Sequence, residues 1–126
     1  MPNLNISSYA PGAHITAQAS AAVTAKRFVA ISGDRVGSTG NISIAPATAA
    51  GRTCGVAAQD GAVGALVLIV RGNSRVVRVT ADGPIAAGAE VEVGAAGKAK
   101  TVGAGRAVGY AIADAADGAD CEVSLY

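Results

Sequence analysis

A block of small residues that occurs twice constrains this sequence more than any other feature. Residues 55–65 and residues 109–119 both follow the pattern GxAxxDxAxGA, and the two copies align without a gap at an offset of 54 positions. An apolar, strand-like segment follows each copy, at 66–70 and at 121–126. Self-similarity at a fixed offset indicates a repeated structural unit. The sequence therefore predicts a duplicated β unit.

A looser match extends both copies toward the start of the chain. With a gap of two residues, Ile15-Thr16-Ala17, Val23-Thr24-Ala25 and Phe28–Ile31 align with Val79-Thr80-Ala81, Ile85-Ala86-Ala87 and Glu90–Val93. We therefore expect an N-terminal arm, 1–13, and a single β domain, 14–126. The domain would consist of pseudo-repeat halves at about 14–72 and 73–126.

Six residues of the repeated block are expected to form turns that lead into the next strand. An aspartate can accept a hydrogen bond from its own downstream backbone, and glycine adopts positive φ without steric cost. The predicted turn residues are Gly55, Asp60 and Gly64 in the first copy, and Gly109, Asp114 and Gly118 in the second.

The same glycines could belong to a phosphate-binding loop, and the spacing excludes that interpretation. A Walker A loop requires Gly-Lys-Ser/Thr at the start of a helix, whereas Ala65 and Leu66 follow Gly64. A dinucleotide-binding fingerprint requires GxGxxG between a strand and a helix, and the glycine spacing here does not match it. We therefore predict no nucleotide cofactor.

Short Val- and Ile-rich segments, separated by Gly, Asp and Ala, recur along the whole chain, which is typical of a barrel or sandwich. The Ala-rich stretches lack a sustained helical stripe of large apolar residues. We expect an all-β fold, a small barrel or sandwich with at most one or two short helical turns. The predicted strands are His14–Ala19, Arg27–Ser32, Ile42–Ala45, Thr53–Ala58, Ala65–Arg71, Arg75–Ala81, Glu90–Gly94, Ala99–Val102, Ala107–Ala113 and Cys121–Tyr126.

Three local patterns give finer expectations. The Gly72-Asn73 pair between two Val-rich segments predicts a β-hairpin that joins residues 70 and 76. Alternation in Glu90-Val91-Glu92-Val93 places the valines on one strand face and the glutamates on the other. The unbroken run Leu66–Val70 predicts a buried strand.

Residues 1–13 have the composition of an extended arm. Pro2 and Pro11 interrupt them, and the Leu4-x-Ile6 alternation suits a segment that adds to the edge of a sheet, although a frayed terminus has the same composition.

Aromatic residues make up only 3% of the chain, which implies a thin core and additional burial through association with other molecules.

Charge argues against binding to nucleic acid, since the net charge is only +1. Residues 1–81 nevertheless contain seven Lys/Arg and two Asp/Glu, whereas residues 82–126 contain three and seven. Two interpretations stay open: an ordinary solvated surface, or complementary patches that meet between neighbouring copies.

No apolar segment approaches the roughly 18 residues of a membrane span, and no signal peptide is recognisable. We expect synthesis in the cytosol and no membrane contact.

Few residues offer catalytic or metal-binding chemistry. His14 is the sole histidine, and no GxSxG nucleophile motif accompanies it. Asp114, Asp117 and Asp120 could bind a hard cation weakly, but a solvated turn explains them more simply. Cys54 and Cys121 lack the CxxC spacing of a zinc site and are interpreted as buried thiols, with a disulfide as the alternative. We predict no catalytic residue, metal ligand or cofactor.

The organisation as a whole resembles the capsid decoration, or head-cement, proteins of tailed bacteriophages. The resemblance spans residues 12–126, with Lys26 standing where the first half would be expected to have a glycine like Gly88. It is carried by the arm and by Ile15-Thr16-Ala17, Val23–Ile31, Gly55-Val56-Ala57 with Asp60 and Gly64, Ile85–Val91, and Gly109-Tyr110-Ala111 with Asp114 and Gly118.

The resemblance implies a non-enzymatic, often homotrimeric protein on the outside of the virion. It would be made in the host bacterial cytoplasm, bind the major capsid protein, and reinforce the shell against the pressure of packaged DNA. Under this hypothesis the arm supplies the capsid-contact candidates, which are Leu4, Asn5, Ile6 and Tyr9.

Two other functions remain as alternatives. One is a different virion surface module, such as the base of a head fibre or a tail-surface domain. The other is a biotinyl or lipoyl carrier domain that uses Lys98, because Gly97-Lys98-Ala99 is expected at a hairpin tip. The Asp or Met that usually flanks a carrier lysine is missing.

Overall fold

The computed structural model describes residues 8–9 and 12–126, which contain ten strands and a single turn of 3-10 helix. Every strand overlaps a segment predicted from the sequence, and the strand ends differ from the predicted ends by a few residues at most. The elements are β1 Ile15–Ala19, β2 Phe28–Ile31, β3 Ile42–Pro46, β4 Gly55–Ala57, β5 Leu66–Val70, β6 Val76–Thr80, β7 Glu90–Val93, the 3-10 turn Ala95–Gly97, β8 Ala99–Thr101, β9 Gly109–Ala111 and β10 Asp120–Leu125. The predicted all-β class is confirmed.

Strands β1–β5 form a closed barrel in the order β1-β3-β2-β4-β5. Four of the five strand pairs are antiparallel, and the parallel pair β1–β3 completes the ring. Period-two alternation points one side chain in two into the barrel, where β-branched residues pack well. The barrel interior contains Ala17, Ala19, Val23, Val29, Ile44, Ala57, Val67 and Ile69.

Strands β6–β10 form a second sheet in the order β6-β10-β9-β7-β8. Its four antiparallel pairs repeat those of the barrel, with β6, β7, β8, β9 and β10 in the places of β1, β2, β3, β4 and β5. The parallel pair that closes the barrel is reduced here to one bridge, between Ala81 and Ala99. This shared strand order confirms the duplicated β unit.

The register corrects the alignment of the early parts of the two halves. The Ala19 N–H donates to Ala65, and the Ala81 N–H donates to Ala119, so Ala19 and Ala81 are equivalent. Val23 pairs with Gly61 as Ile85 pairs with Ala115. Ala19 and Ala81 differ by 62 positions, and so do Val23 and Ile85. The early parts of the two halves therefore align without a gap, and Ala17 is equivalent to Val79 rather than to Ala81. The looser alignment was wrong because it matched Thr16-Ala17 with Thr80-Ala81, and these pairs lie two residues apart when the equivalent strands β1 and β6 are aligned.

The second sheet does not close into a barrel, and its open side is covered by side chains on the outer face of the first barrel. Phe28, Val56 and Ala47 are buried in the same apolar cluster as the interior of the second sheet. Two backbone bonds also join the halves: the Thr80 N–H donates to Lys26, and the Ala50 N–H donates to Val93. The second sheet is therefore completed by side chains and backbone of the first half.

The predicted hairpin between residues 70 and 76 is wrong. β5 pairs with β1 and β4, whereas β6 pairs with β10 in the other sheet. The segment is instead the crossover between the two halves, and the Ser74 N–H donates to the Leu125 carbonyl. Gly72, with φ of 122°, is required there because a Cβ would lie 2.7 Å from the Cα of Gly12.

One expectation about burial also needs correction. Leu66–Val70 is only half buried, because Val67 and Ile69 face the barrel interior while Leu66 is exposed. On the glutamate face of β7, Glu92 is only 4% exposed because the segment at Gly103 and Gly105 covers it.

Candidate functional surface

Gly55 and Gly109 lie in strands β4 and β9, not in turns. A Cβ on Gly55 would lie 2.6 Å from the Val70 carbonyl oxygen, and a Cβ on Gly109 would lie 2.5 Å from that of Ser124. Real side chains do not tolerate such approaches to backbone, so only glycine allows these strands to pair this closely. The role assigned to both residues from the sequence is thus corrected from turn formation to close strand packing.

Asp60 and Asp114 join loops that are distant in sequence. The Ala25 N–H donates to Asp60 Oδ1 at 2.8 Å, and the Ala87 N–H donates to Asp114 Oδ1 at 2.7 Å. Both acceptors were expected to bond their own downstream backbone. Each repeated aspartate therefore accepts a hydrogen bond from the last residue of the V/I-x-A segment in its own half, which fixes that segment against the repeated block.

Gly64 and Gly118 have the positive φ values expected of them, 86° and 78°. Lys26 has φ of 62° and Gly88 has φ of 82°, so the lysine adopts the backbone conformation of the glycine at the equivalent place. Lys26 Nζ lies 2.8 Å from Asp120 Oδ2 and forms a salt bridge between the halves. The departure from the glycine pattern thus adds a contact that glycine could not make.

The predicted capsid-contact residues Leu4, Asn5 and Ile6 lie outside the described residues. Tyr9 is 40% exposed, and the Arg71 guanidinium lies 6.0 Å from the centre of its ring, within the range of a cation–π contact. Arg75 donates to the Gly12 carbonyl and lies 2.8 Å from His14 Nε2. The chain that leads to the arm is therefore held at the crossover between the halves.

Two further tyrosines flank the same crossover. The rings of Tyr110 and Tyr126 lie 6.1 Å apart, and the Tyr126 hydroxyl donates to Glu90 Oε2 at 2.7 Å. This bond to a carboxylate is the main reason why the pKa of Tyr126 is raised above its ordinary value. Tyr126 and Arg71 also line one small cavity of about 80 Å³ between the two halves. We name Tyr9, Arg71, Glu90, Tyr110 and Tyr126 the tyrosine surface.

A family model described as "Phage cement protein" matches residues 9–125. The chain belongs to the phage cement protein family. The match includes both halves of the duplicated unit together with Tyr9, and it confirms the resemblance found in the sequence. No curated protein sequence matches the chain.

The fold of this cement protein is also found in a solved structure, the head fiber gp8.5 N base of bacteriophage phi29. The two structures superimpose with a TM-score of 0.76, over 90% of this chain and 93% of that one. Their sequences are 24% identical, so the comparison shows a shared fold.

Two cysteines and Lys98 are the nucleophilic side chains that the sequence singles out in the cement protein. Cys54 and Cys121 are free thiols, and burial raises the pKa of both. Within the described ranges, no group of three His, Cys, Asp or Glu side chains could hold a metal ion. Lys98 lies in the β7–β8 connection, where a hairpin tip was expected, and it is half buried. No helix in the described part of the chain is long and apolar enough to cross a membrane.

Sequence reasoning assigned a role to Tyr9 alone among the five residues of the tyrosine surface. Tyr110 belongs to the repeated block, where only its glycine and alanine neighbours were interpreted. The available signal was composition, because the chain contains only three tyrosines and no tryptophan. Aromatic residues on an exposed strand in so aromatic-poor a chain point to a contact surface.

Proposed function

We propose that this cement protein binds the outer surface of the major capsid shell and stabilises it against the pressure of packaged DNA. The family match over residues 9–125 carries the proposal, because cement proteins are structural components of phage particles. The proposed location is the exterior of the virion, after synthesis in the host bacterial cytoplasm, and the proposed assembly is a homotrimer.

The N-terminal arm is the proposed capsid contact. Gly12 and His14 are bound by Arg75, and Tyr9 lies against Arg71, so the chain toward residues 1–7 starts from a fixed point on the body. Leu4 and Ile6 would supply apolar anchors, and Asn5 would supply a polar one. Ordering of the arm on the shell would use part of the binding free energy.

The test is co-sedimentation of purified protein with expanded capsids that lack it. We expect deletion of residues 2–10 to leave the unfolding temperature nearly unchanged and to weaken capsid binding strongly. The double variant Leu4→Ala, Ile6→Ala should also bind weakly, while Ser7→Ala, Ser8→Ala in the same arm should bind normally. Full-strength binding by the deletion variant would remove the arm from the proposal, and absence of binding by the unmodified protein would contradict the proposal itself.

A second candidate function is the base of a head fibre, and the shared fold with the phi29 head fiber base favours it. Heating of complete particles and of particles without this protein separates the two functions. Earlier release of DNA from particles that lack the protein supports shell reinforcement. Equal heat resistance, with loss of a projecting fibre in electron micrographs, supports the fibre base.

A further inference from the structure

Tyr9 and Tyr126 lie at the crossover between the two halves, and Tyr110 lies beside Tyr126, although the three come from distant parts of the sequence. Tyr9, Tyr110 and Tyr126 are 40%, 40% and 55% exposed, whereas the single phenylalanine, Phe28, is fully buried. Tyr and Arg dominate the energetically important centres of protein interfaces, since they combine a large contact area with hydrogen-bonding groups. The tyrosine surface therefore has the composition of an interface.

The duplication shows what the same strand face does elsewhere in the molecule. Across β7, β9 and β10, Glu90, Tyr110 and Ser124 lie side by side. The equivalent row in the barrel is Phe28, Val56 and Val70, and it packs against the second half. One copy of this face is thus already a contact between two β units. The other copy is open at Glu90 and Tyr110, which are exposed, while Ser124 beside them is buried.

Charge is divided across the tyrosine surface. On the first-half side, Arg52 adjoins the cavity residues Thr53 and Cys54. On the second-half side, Glu90 accepts a hydrogen bond from the Tyr126 hydroxyl, and Glu122 lies two residues before Ser124 on the same face of β10, directly opposite Arg78 of β6. None of Arg52, Glu90 and Glu122 forms a salt bridge with another described residue. Two acids beside one base leave the second-half side acidic on balance, so the surface has a basic edge at Arg52 and a net acidic edge at Glu90 and Glu122.

A surface whose two edges carry opposite charge is complementary to another copy of itself. We propose that the tyrosine surface is the contact between two copies of this chain, with the basic edge of one copy against the acidic edge of its neighbour. The tyrosines would fill the centre, where water is excluded. This inference rests on the self-association proposed above and names the surface that produces it.

The first test measures the association of the purified full chain by analytical ultracentrifugation. The double variant Tyr110→Ala, Tyr126→Ala should raise the dissociation constant about thirtyfold or more, the loss typical of central interface aromatics. Val63→Ala is the matched control, because Val63 is 71% exposed in the β4–β5 connection, and it should associate normally. Circular dichroism should show unchanged folding. Unchanged association of the tyrosine variant, or an unmodified chain that is monomeric at every concentration, would overturn the proposal.

The second test reverses the charged edges. Arg52→Glu and Glu122→Lys should each weaken association roughly tenfold, because each places like charges in contact. The chain with both changes has its edges exchanged and should associate nearly as well as the unmodified chain. Two weak single variants whose combination is weaker still would contradict the charge pairing.

Neither test includes capsids, so their failure leaves the capsid proposal untouched. The tyrosine double variant should then be added to expanded capsids in the co-sedimentation experiment. If that variant remains oligomeric but no longer sediments with capsids, the tyrosine surface belongs to the shell contact and the proposal is wrong.

Discussion

The Asp114 carboxylate accepts a hydrogen bond of 2.7 Å from the backbone N–H of Ala87, across two exposed loops. Asp60 makes the same contact with Ala25 in the other half, so the repeated Asp stabilises each unit in the same way. We expect Asp114→Ala to lower the free energy of unfolding by about 1 kcal/mol, since it leaves one N–H without its acceptor. Asp114→Asn retains an acceptor oxygen and should cost less. Urea denaturation measures both variants, with Ser38→Ala at an exposed loop position as the control, and equal losses for Ala and Asn would contradict the role of the oxygen.

A methyl group on Gly109 should destabilise the protein strongly. The added Cβ would lie 2.5 Å from the Ser124 carbonyl oxygen and 2.7 Å from Val123 Cγ1, so β9 and β10 would have to separate. We expect Gly109→Ala to cost about 2–3 kcal/mol, in the range of overpacked cores. Gly37→Ala is the control, because no heavy atom lies within 4 Å of its Cβ position. Thermal unfolding compares the two, and similar melting temperatures would show that the strands can move apart freely.

Two substitutions of Lys26 separate backbone strain from the salt bridge. Lys26→Ala and Lys26→Gly both remove the contact with Asp120, but only glycine adopts φ near 62° without strain. Lys26→Gly should therefore be more stable than Lys26→Ala by about 1 kcal/mol. Chemical denaturation of the pair gives this difference directly. A glycine variant no more stable than the alanine variant would mean that the backbone relaxes once the lysine is gone.

The bond between Tyr126 and Glu90 predicts a pH dependence. It raises the pKa of Tyr126, so the stabilisation is present below the phenol's ordinary pKa of 10.0 and is lost as pH rises through the higher folded value. Glu90→Gln removes the carboxylate and should move the ionisation of Tyr126 to lower pH. Tyrosinate absorbance measures this ionisation, as the difference between each chain and its counterpart with Tyr126→Phe. If Tyr126 ionises at the same pH with and without the Glu90→Gln change, this bond is not the cause of the raised pKa.

The strands could be predicted from the sequence because their signals are local. Alternation in β6 and β7, and turn residues such as Gly64 and Gly118, depend on neighbours only a few positions away. Strand pairing is not local. The Gly72-Asn73 segment has the composition of a hairpin, but β5 pairs with β1 and β4 while β6 pairs with β10, so the two strands join different sheets.

The candidate surface was harder to predict, because equivalent positions have opposite environments. Phe28 is fully buried, whereas Glu90, at the same place in the second half, is exposed. The alternation of side chains predicts that both residues lie on the outer face of their strands. It does not predict that the second half covers the outer face at Phe28 and leaves the one at Glu90 exposed. The contact between Tyr110 and Tyr126 likewise requires β9 and β10 to be adjacent, which only the folded sheet reveals.

The single bridge between Ala81 and Ala99 has a consequence for how the chain is made. The strands β1–β5 precede β6–β10 in the chain and leave the ribosome earlier, so we expect the ring to close before the second unit is complete. The nascent second unit then meets a finished template whose Phe28 and Val56 fit its open side. This order of events keeps equivalent strands of the two units from exchanging places, which is a common error in the folding of tandem repeats.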